Sequence, residues 1–167
     1  GVNDESRGEP AIRRIARAAA AGAIGGLAGA AVKLVCEAIA PPRTADREPP
    51  PGILVEKLVR ALGGRELSKA RKDRVSLAVH WTFSTVTSAL YGASVERAEK
   101  PRLRNGIGFG VAVWAGFHEI ALPLLGGTPP LRDLPVAEQA NEFVSHVVFG
   151  VTVEAVRASV IRLIDAG

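Results

Sequence analysis

A second cysteine is missing. Cys36 stands alone, so the chain forms no internal disulfide and its thiol content says nothing of the redox compartment. Aromatic side chains are scarce, 5% against 47% for hydrophobic residues as a whole, which leaves an apolar content of mostly Ala, Val, Leu and Ile. No basic patch is interleaved with aromatics, so the net charge of +4 does not point to nucleic acid. No stretch carries a strand pattern. Catalytic signatures are missing too. No HExxH spacing occurs, and no Ser/His/Asp or Cys/His set can be assembled. Gly106-x-Gly108-x-Gly110 lacks the preceding strand and the Lys-Ser/Thr of a phosphate loop, and reads as helix packing. A non-enzymatic role is the expectation.

What the chain does have is glycine in unusual places. Its 18 glycines concentrate inside the apolar runs, where they would weaken a soluble helix but suit membrane helices in close contact. Four runs reach membrane length, at about residues 15–40, 75–95, 105–125 and 141–164. The fold class expected is all-α: an integral membrane bundle of four transmembrane helices forming one domain over 11–167, after a flexible polar tail at 1–10. The first run also has the layout of a signal peptide, with Ala38-Ile39-Ala40 before Pro41, but Lys33 and Glu37 interrupt its apolar region and favour a retained helix. Within it, Gly22/Gly26 and Gly25/Gly29 make a flat face for a neighbour. Ser84, Ser88 and Gly92 do the same in the second run, and Gly106/Gly110 in the third.

Between the first two runs, 41–52 is Pro-rich and reads as an exposed connector. ILVEKLVRAL at 53–62 is amphipathic and too short to span, so it is expected as a surface helix, and 65–74 as a solvated charged stretch. Arg13, Arg14, Arg17, Arg97, Lys100, Arg102, Arg104, Arg157 and Arg162 share one side of a four-span chain, which makes that side and both termini cytoplasmic. The turn with Arg132, Asp133 and Glu138 then lies outside, while the Arg- and Lys-rich 41–74 connector departs from the rule.

Counting ~1.5 Å of rise per residue places His80, His118 and His146 at one depth, roughly 8–10 Å inside the outer ends of their helices. Lys33, Glu37, Glu119 and Glu142 fall in the same slab. Ionisable groups at membrane depth are costly, so this layer is the candidate site. Proton, ion or small-solute handling by these residues is the leading reading. Metal binding by His80, His118 and His146, or haem between two of them, are alternatives, and the cofactor is left open. The bland reading has each histidine bridging helices and Lys33–Glu37 as an i,i+4 pair reaching outward. Glu154 and Arg157, spaced i,i+3, are expected to pair inside the bundle, Trp81 and Tyr91 to anchor at the interface, and Trp114 to pack. Lipid is the expected partner, with a second copy or other membrane subunits open; an accessory subunit of a larger complex is the competing role.

A wider set of residues carries a family likeness. It comprises the Gly-rich helix leading to Lys33, Glu37 and Pro41-Pro42-Arg43, the histidine and later Tyr-Gly of the second run, and His118-x4-Pro123-Leu124-x-Gly126. Thr128-Pro129-Pro130, Asp133-Leu134-Pro135, the Glu142-to-His146 spacing and Glu154-x2-Arg157 complete it. On these, over most of 20–163, the chain resembles the YagU-like family of small bacterial inner-membrane proteins. The resemblance implies an integral inner-membrane protein and carries no established reaction. A shortened, more charged first connector departs from the family pattern.

Overall fold

Five helices follow one another in a computed structural model that describes residues 10–44, 47–96, 102–129 and 133–166. They are α1 (Ala11–Ile39), α2 (Pro50–Ala61), α3 (Lys69–Ser94), α4 (Leu103–Leu124) and α5 (Val136–Ala166). The tail expected at 1–10 lies almost wholly outside the described residues, as do Arg97, Lys100, Arg132 and Pro130. The class is all-α. By length and hydropathy alone, α1 and α4 are the two described helices apolar enough to cross a membrane. α3 and α5 are longer than α4 but carry more polar side chains.

Small residues decide which helices touch. A Cβ on Gly22 would overlap the Ser88 carbonyl, and one on Gly26 would sit 2.6 Å from the Ser84 carbonyl oxygen, so α1 lies backbone to backbone on the Ser84-Ser88-Gly92 face of α3. On its other side, a Cβ on Gly25 would come 2.6 Å from Val153 O, and Gly29 meets Phe149, which seats α5. Gly106 and Gly110 bring α4 onto Gly150 and His146 of α5 in the same way. The aromatic pairs Tyr91–Phe109 (centroids 4.4 Å apart) and Phe83–Phe117 (4.2 Å) close the ring between α3 and α4.

The helices alternate in direction. Arg14–Glu96 (3.6 Å) and Arg17–Asp165 (3.0 Å) gather the start of α1 with the ends of α3 and α5. At the opposite end Arg47 pairs with Glu138, and Asn141 donates to Pro41 O at 3.3 Å.

Two boundaries differ from expectation. Pro50-Pro51-Gly52 is the first turn of α2 rather than connector, because a proline at a helix start lacks an N–H that would have no partner anyway. Residues 69–74, exposed as expected apart from Lys72, are helical: Lys, Arg and Ala are good helix formers and extend α3 backward from the apolar run. α2 is docked on the rest of the bundle. Lys72 of α3 pairs with its Glu56 and reaches Glu48 at 2.9 Å, while Lys57 donates to Gly126 O at 2.7 Å. Gly126 itself has φ 67, the left-handed turn that ends α4.

α4 is not uniform. Trp114–Ala121 is π-helical, with the Leu122 N–H bonded to Phe117 O five residues back. Pro123 accounts for it. Having no N–H for the carbonyl four residues earlier, and a ring that crowds that carbonyl, it widens the preceding turn.

Candidate functional site

Two facing helices each offer an i,i+4 pair of opposite character, Lys33/Glu37 on α1 and Glu142/His146 on α5. Where they meet, Lys33 is 7% exposed and Glu142 5%. The Lys33 ammonium donates to Glu37 and, at 3.1 Å, to Glu142 Oε1. It therefore turns inward and does not reach out toward the interface. The same Glu142 oxygen lies 3.6 Å from His118 Nε2 and 3.4 Å from His146 Nδ1. His146 Nδ1 also sits 2.8 Å from the Glu142 backbone carbonyl, the geometry of a donated hydrogen bond. His118 turns its Nδ1 to Glu119 Oε1 at 2.9 Å, so its imidazole bridges two carboxylates. The His118 and His146 rings are 5.8 Å apart, edge to face, in direct contact.

His80 stands apart. Its Nε2 is 3.3 Å from Ala30 O, a bond to the α1 backbone. All three histidines line one cavity of about 300 Å³ between α1, α3, α4 and α5, yet they do not converge on a point. Among the described residues no group of three His, Cys, Asp or Glu side chains is arranged to hold a metal ion, and His118 and His146 leave no gap between them for a macrocycle. Glu119 is held beside the cavity through His118 rather than lining it.

The floor of the cavity is apolar, with Phe83, Val113, Phe117 and Phe149, and these residues did not stand out in the sequence. Arg43, noted in the sequence only for the family likeness, and Pro49–Pro51, read there as connector, line the cavity as well. The signal for the floor was available in principle: Phe83, Phe117 and Phe149 fall within a turn of His80, His118 and His146. A smaller cavity of about 230 Å³ under the loops shares Arg43, Pro50, His118 and Glu142 with the larger one.

A second buried polar group occupies the other end. Glu154 and Arg157, 2% and 0% exposed, form a two-point ion pair at 2.8 and 3.0 Å. Tyr91 OH donates to Glu154 at 2.9 Å and the Arg102 N–H at 3.1 Å, so one carboxylate fastens α3, α5 and the start of α4. Tyr91 is thus half-buried near the end of α3, its hydroxyl turned to Glu154. Trp114 packs edge to face on Phe143 at 5.0 Å.

Both clusters fall inside, or at the edge of, the stretch that a family model matches, residues 27–155 of the chain. That family is DUF1440, described as a protein of unknown function. The chain belongs to this family. Among curated proteins it is 36% identical over 78 residues to the inner membrane protein YagU of Escherichia coli (strain K12). That match takes in 47% of this chain and 38% of the relative's length. No solved structure matches the chain. The family description assigns no chemistry, so the reading of the Lys33–Glu142–His118 cluster rests on its geometry.

Proposed function

We propose that this DUF1440 member is an integral protein of the bacterial inner membrane, with all four long helices crossing the bilayer and both termini cytoplasmic. The distribution of polarity supports it. Buried positions hold Lys33, Ser88, Glu142, Glu154 and Arg157, while Ile24, Leu27, Val86, Leu90, Ile120 and Val144 face outward, about half exposed or more. Such an inside-out arrangement suits lipid as the surrounding medium. The hydropathy of α3 and α5 is lowered by side chains that face inward or bond their own helix, as Thr85 and Thr87 do, so an average over the helix undercounts their outer faces. The relative's inner-membrane name points the same way.

Within that frame, the buried layer handles protons or small cations. One observation carries the reading: Glu142 gathers Lys33, His118 and His146 from three helices at the wall of a cavity. Lys33 faces Glu37 and Glu142, two carboxylates on one ammonium, and a third, Glu119, has only His118 for a partner among the described residues. Buried charge left uncompensated is costly, and the layer lowers that cost by taking up a proton on an imidazole or a cation from the cavity. Histidine ring signals of the purified protein in lipid nanodiscs test this. The expected result is a pH response of the histidine ring signals that changes in Glu142→Gln; identical responses in the two proteins would refute it.

The accessory-subunit reading loses part of its motive, since the Gly22/Gly26, Gly25/Gly29 and Gly106/Gly110 faces are filled from within the bundle.

A further inference from the structure

The geometry points to the larger cavity as a binding site for a small organic ammonium ion, an apolar body with one cationic nitrogen, held at Glu142. This rests on the cation-handling reading above and names the class of cation.

Three observations converge. The first is the carboxylate. Glu142 is 5% exposed, meets Lys33, His118 and His146 at Oε1, and lines both cavities, so its carboxylate borders the space a guest would fill. The second is the floor. About 300 Å³ lined largely by apolar side chains is at the small end of ordinary ligand sites, which combine apolar walls with a few placed polar groups. An inorganic cation would gain nothing from such walls and asks instead for several converging ligands, an arrangement the described residues do not provide. The third is aromatic. Phe83 and Phe117, with centroids 4.2 Å apart, and Phe149, 2% exposed, all border the cavity, and ring faces attract an organic cation. Two cations of opposite sense line the same cavity, Lys33, which Glu37 and Glu142 already hold, and Arg43; three carboxylates, Glu37, Asp73 and Glu142, stand against them.

Three probes with one body and different heads separate the possibilities: benzylammonium, benzoate and benzyl alcohol, titrated calorimetrically into the whole chain in detergent. Benzylammonium is expected to saturate a single site, and benzoate not to. In Glu142→Gln its affinity falls by at least about tenfold, the scale of a lost charge-assisted hydrogen bond. In Phe117→Leu, which leaves the ion network intact, it falls by about two- to fivefold. Helix content by circular dichroism checks both variants, and the three-probe comparison on the unaltered protein stands even if Glu142→Gln fails to fold. Benzoate binding as tightly as benzylammonium overturns the assignment in favour of an anion site. Equal, unsaturable uptake of all three, or undiminished affinity in a folded Glu142→Gln, overturns it as well. A histidine pH response that changes in Glu142→Gln while benzylammonium fails to bind removes the organic-cation assignment and leaves proton handling standing. Saturable benzylammonium binding with an unchanged pH response supports the site and removes the proton step.

Discussion

Glu154 ties together the end of the bundle where α1 starts and α3 and α5 finish. Its carboxylate accepts two bonds from Arg157, one from Tyr91 and one from the Arg102 backbone, and neither member of the ion pair touches solvent to any extent. Glu154→Gln keeps the shape but leaves the Arg157 guanidinium buried against a neutral amide, at a cost of about 3–5 kcal/mol. Tyr91→Phe removes one charge-assisted bond and costs about 1–3 kcal/mol. Thermal unfolding in detergent, followed by circular dichroism, is expected to rank Glu154→Gln well below Tyr91→Phe; equal effects would mean the ion pair contributes little. The pairing of Glu154 with Arg157 was legible from their i,i+3 spacing, since neighbours on a helix face need no tertiary information. Tyr91 was not, because nothing local says which way a lone tyrosine near a helix end will turn. The same division runs through the other cluster. Depth follows from residue counts and a fixed rise, so the common level of His80, His118 and His146 could be read directly. Rotation about each helix axis could not, and it is rotation that sends His80 to the Ala30 carbonyl while His118 and His146 meet.

Between elements, the glycines divide into two kinds that make opposite forecasts. Gly25 of α1 lies where a Cβ would sit 2.6 Å from the α5 backbone, whereas Gly108 of α4 has nothing within 4 Å. Gly25→Ala forces α1 and α5 apart and is expected to lower stability by about 1–3 kcal/mol. Gly108→Ala relieves the entropic cost of a helical glycine and is expected to raise it by about 0.5–1 kcal/mol. Reversible unfolding in mixed detergent distinguishes the two, and a destabilising Gly108→Ala would show that this face is covered. The small-residue spacings were readable because close backbone contact admits little else. The π-helical turn carrying His118 was not read, although Pro123 announces it. The docking of α2 makes a pH forecast. Hydrogen bonds from Lys72 and Arg60 hold the Glu56 carboxyl below its usual 4.5, and donating to Glu56 and Glu48 holds the Lys72 ammonium above its usual 10.5. The Glu56 contribution is present above the unfolded value and disappears as pH falls through the lowered folded one. That of Lys72 is present below 10.5 and disappears as pH rises past its raised value. Exchange protection of α2 amides, taken relative to α3, is therefore expected to hold between pH 4.5 and 10.5 and to fall as pH drops below 4.5. Protection that persists undiminished there would show that Glu56 does not hold α2 in place.

At the scale of the molecule, the question is which way the bundle sits and how many of its helices cross. Arg14–Glu96 and Arg17–Asp165 put the start of α1 and the ends of α3 and α5 at one end. The 41–49 connector, α2 and the Gly126 turn lie at the other, beside the polar layer. The proposed orientation puts the first end in the cytoplasm, on the arginines of its short segments, Arg13, Arg14, Arg17, Arg102 and Arg104 among them. The basic connector at the far end argues the other way, although Lys72 and Arg60 pair with Glu56, and Arg47 with Glu138. A single cysteine already in the chain makes the test simple, because Cys36→Ser yields a cysteine-free background. In that background Thr44→Cys and Ser94→Cys place one thiol at an exposed position near each end. A membrane-impermeant maleimide added to intact spheroplasts is expected to label Thr44→Cys and to reach Ser94→Cys only after the membrane is opened. The reverse pattern would invert the bundle and put the cavity mouth at the cytoplasm. Labelling of both from outside would mean that α3, which begins with Lys69, Arg71 and Lys72 and is the least apolar of the long helices, does not cross. The cavity would survive inversion unchanged, since its walls depend only on antiparallel packing. The direction from which Glu142 receives its cation would not.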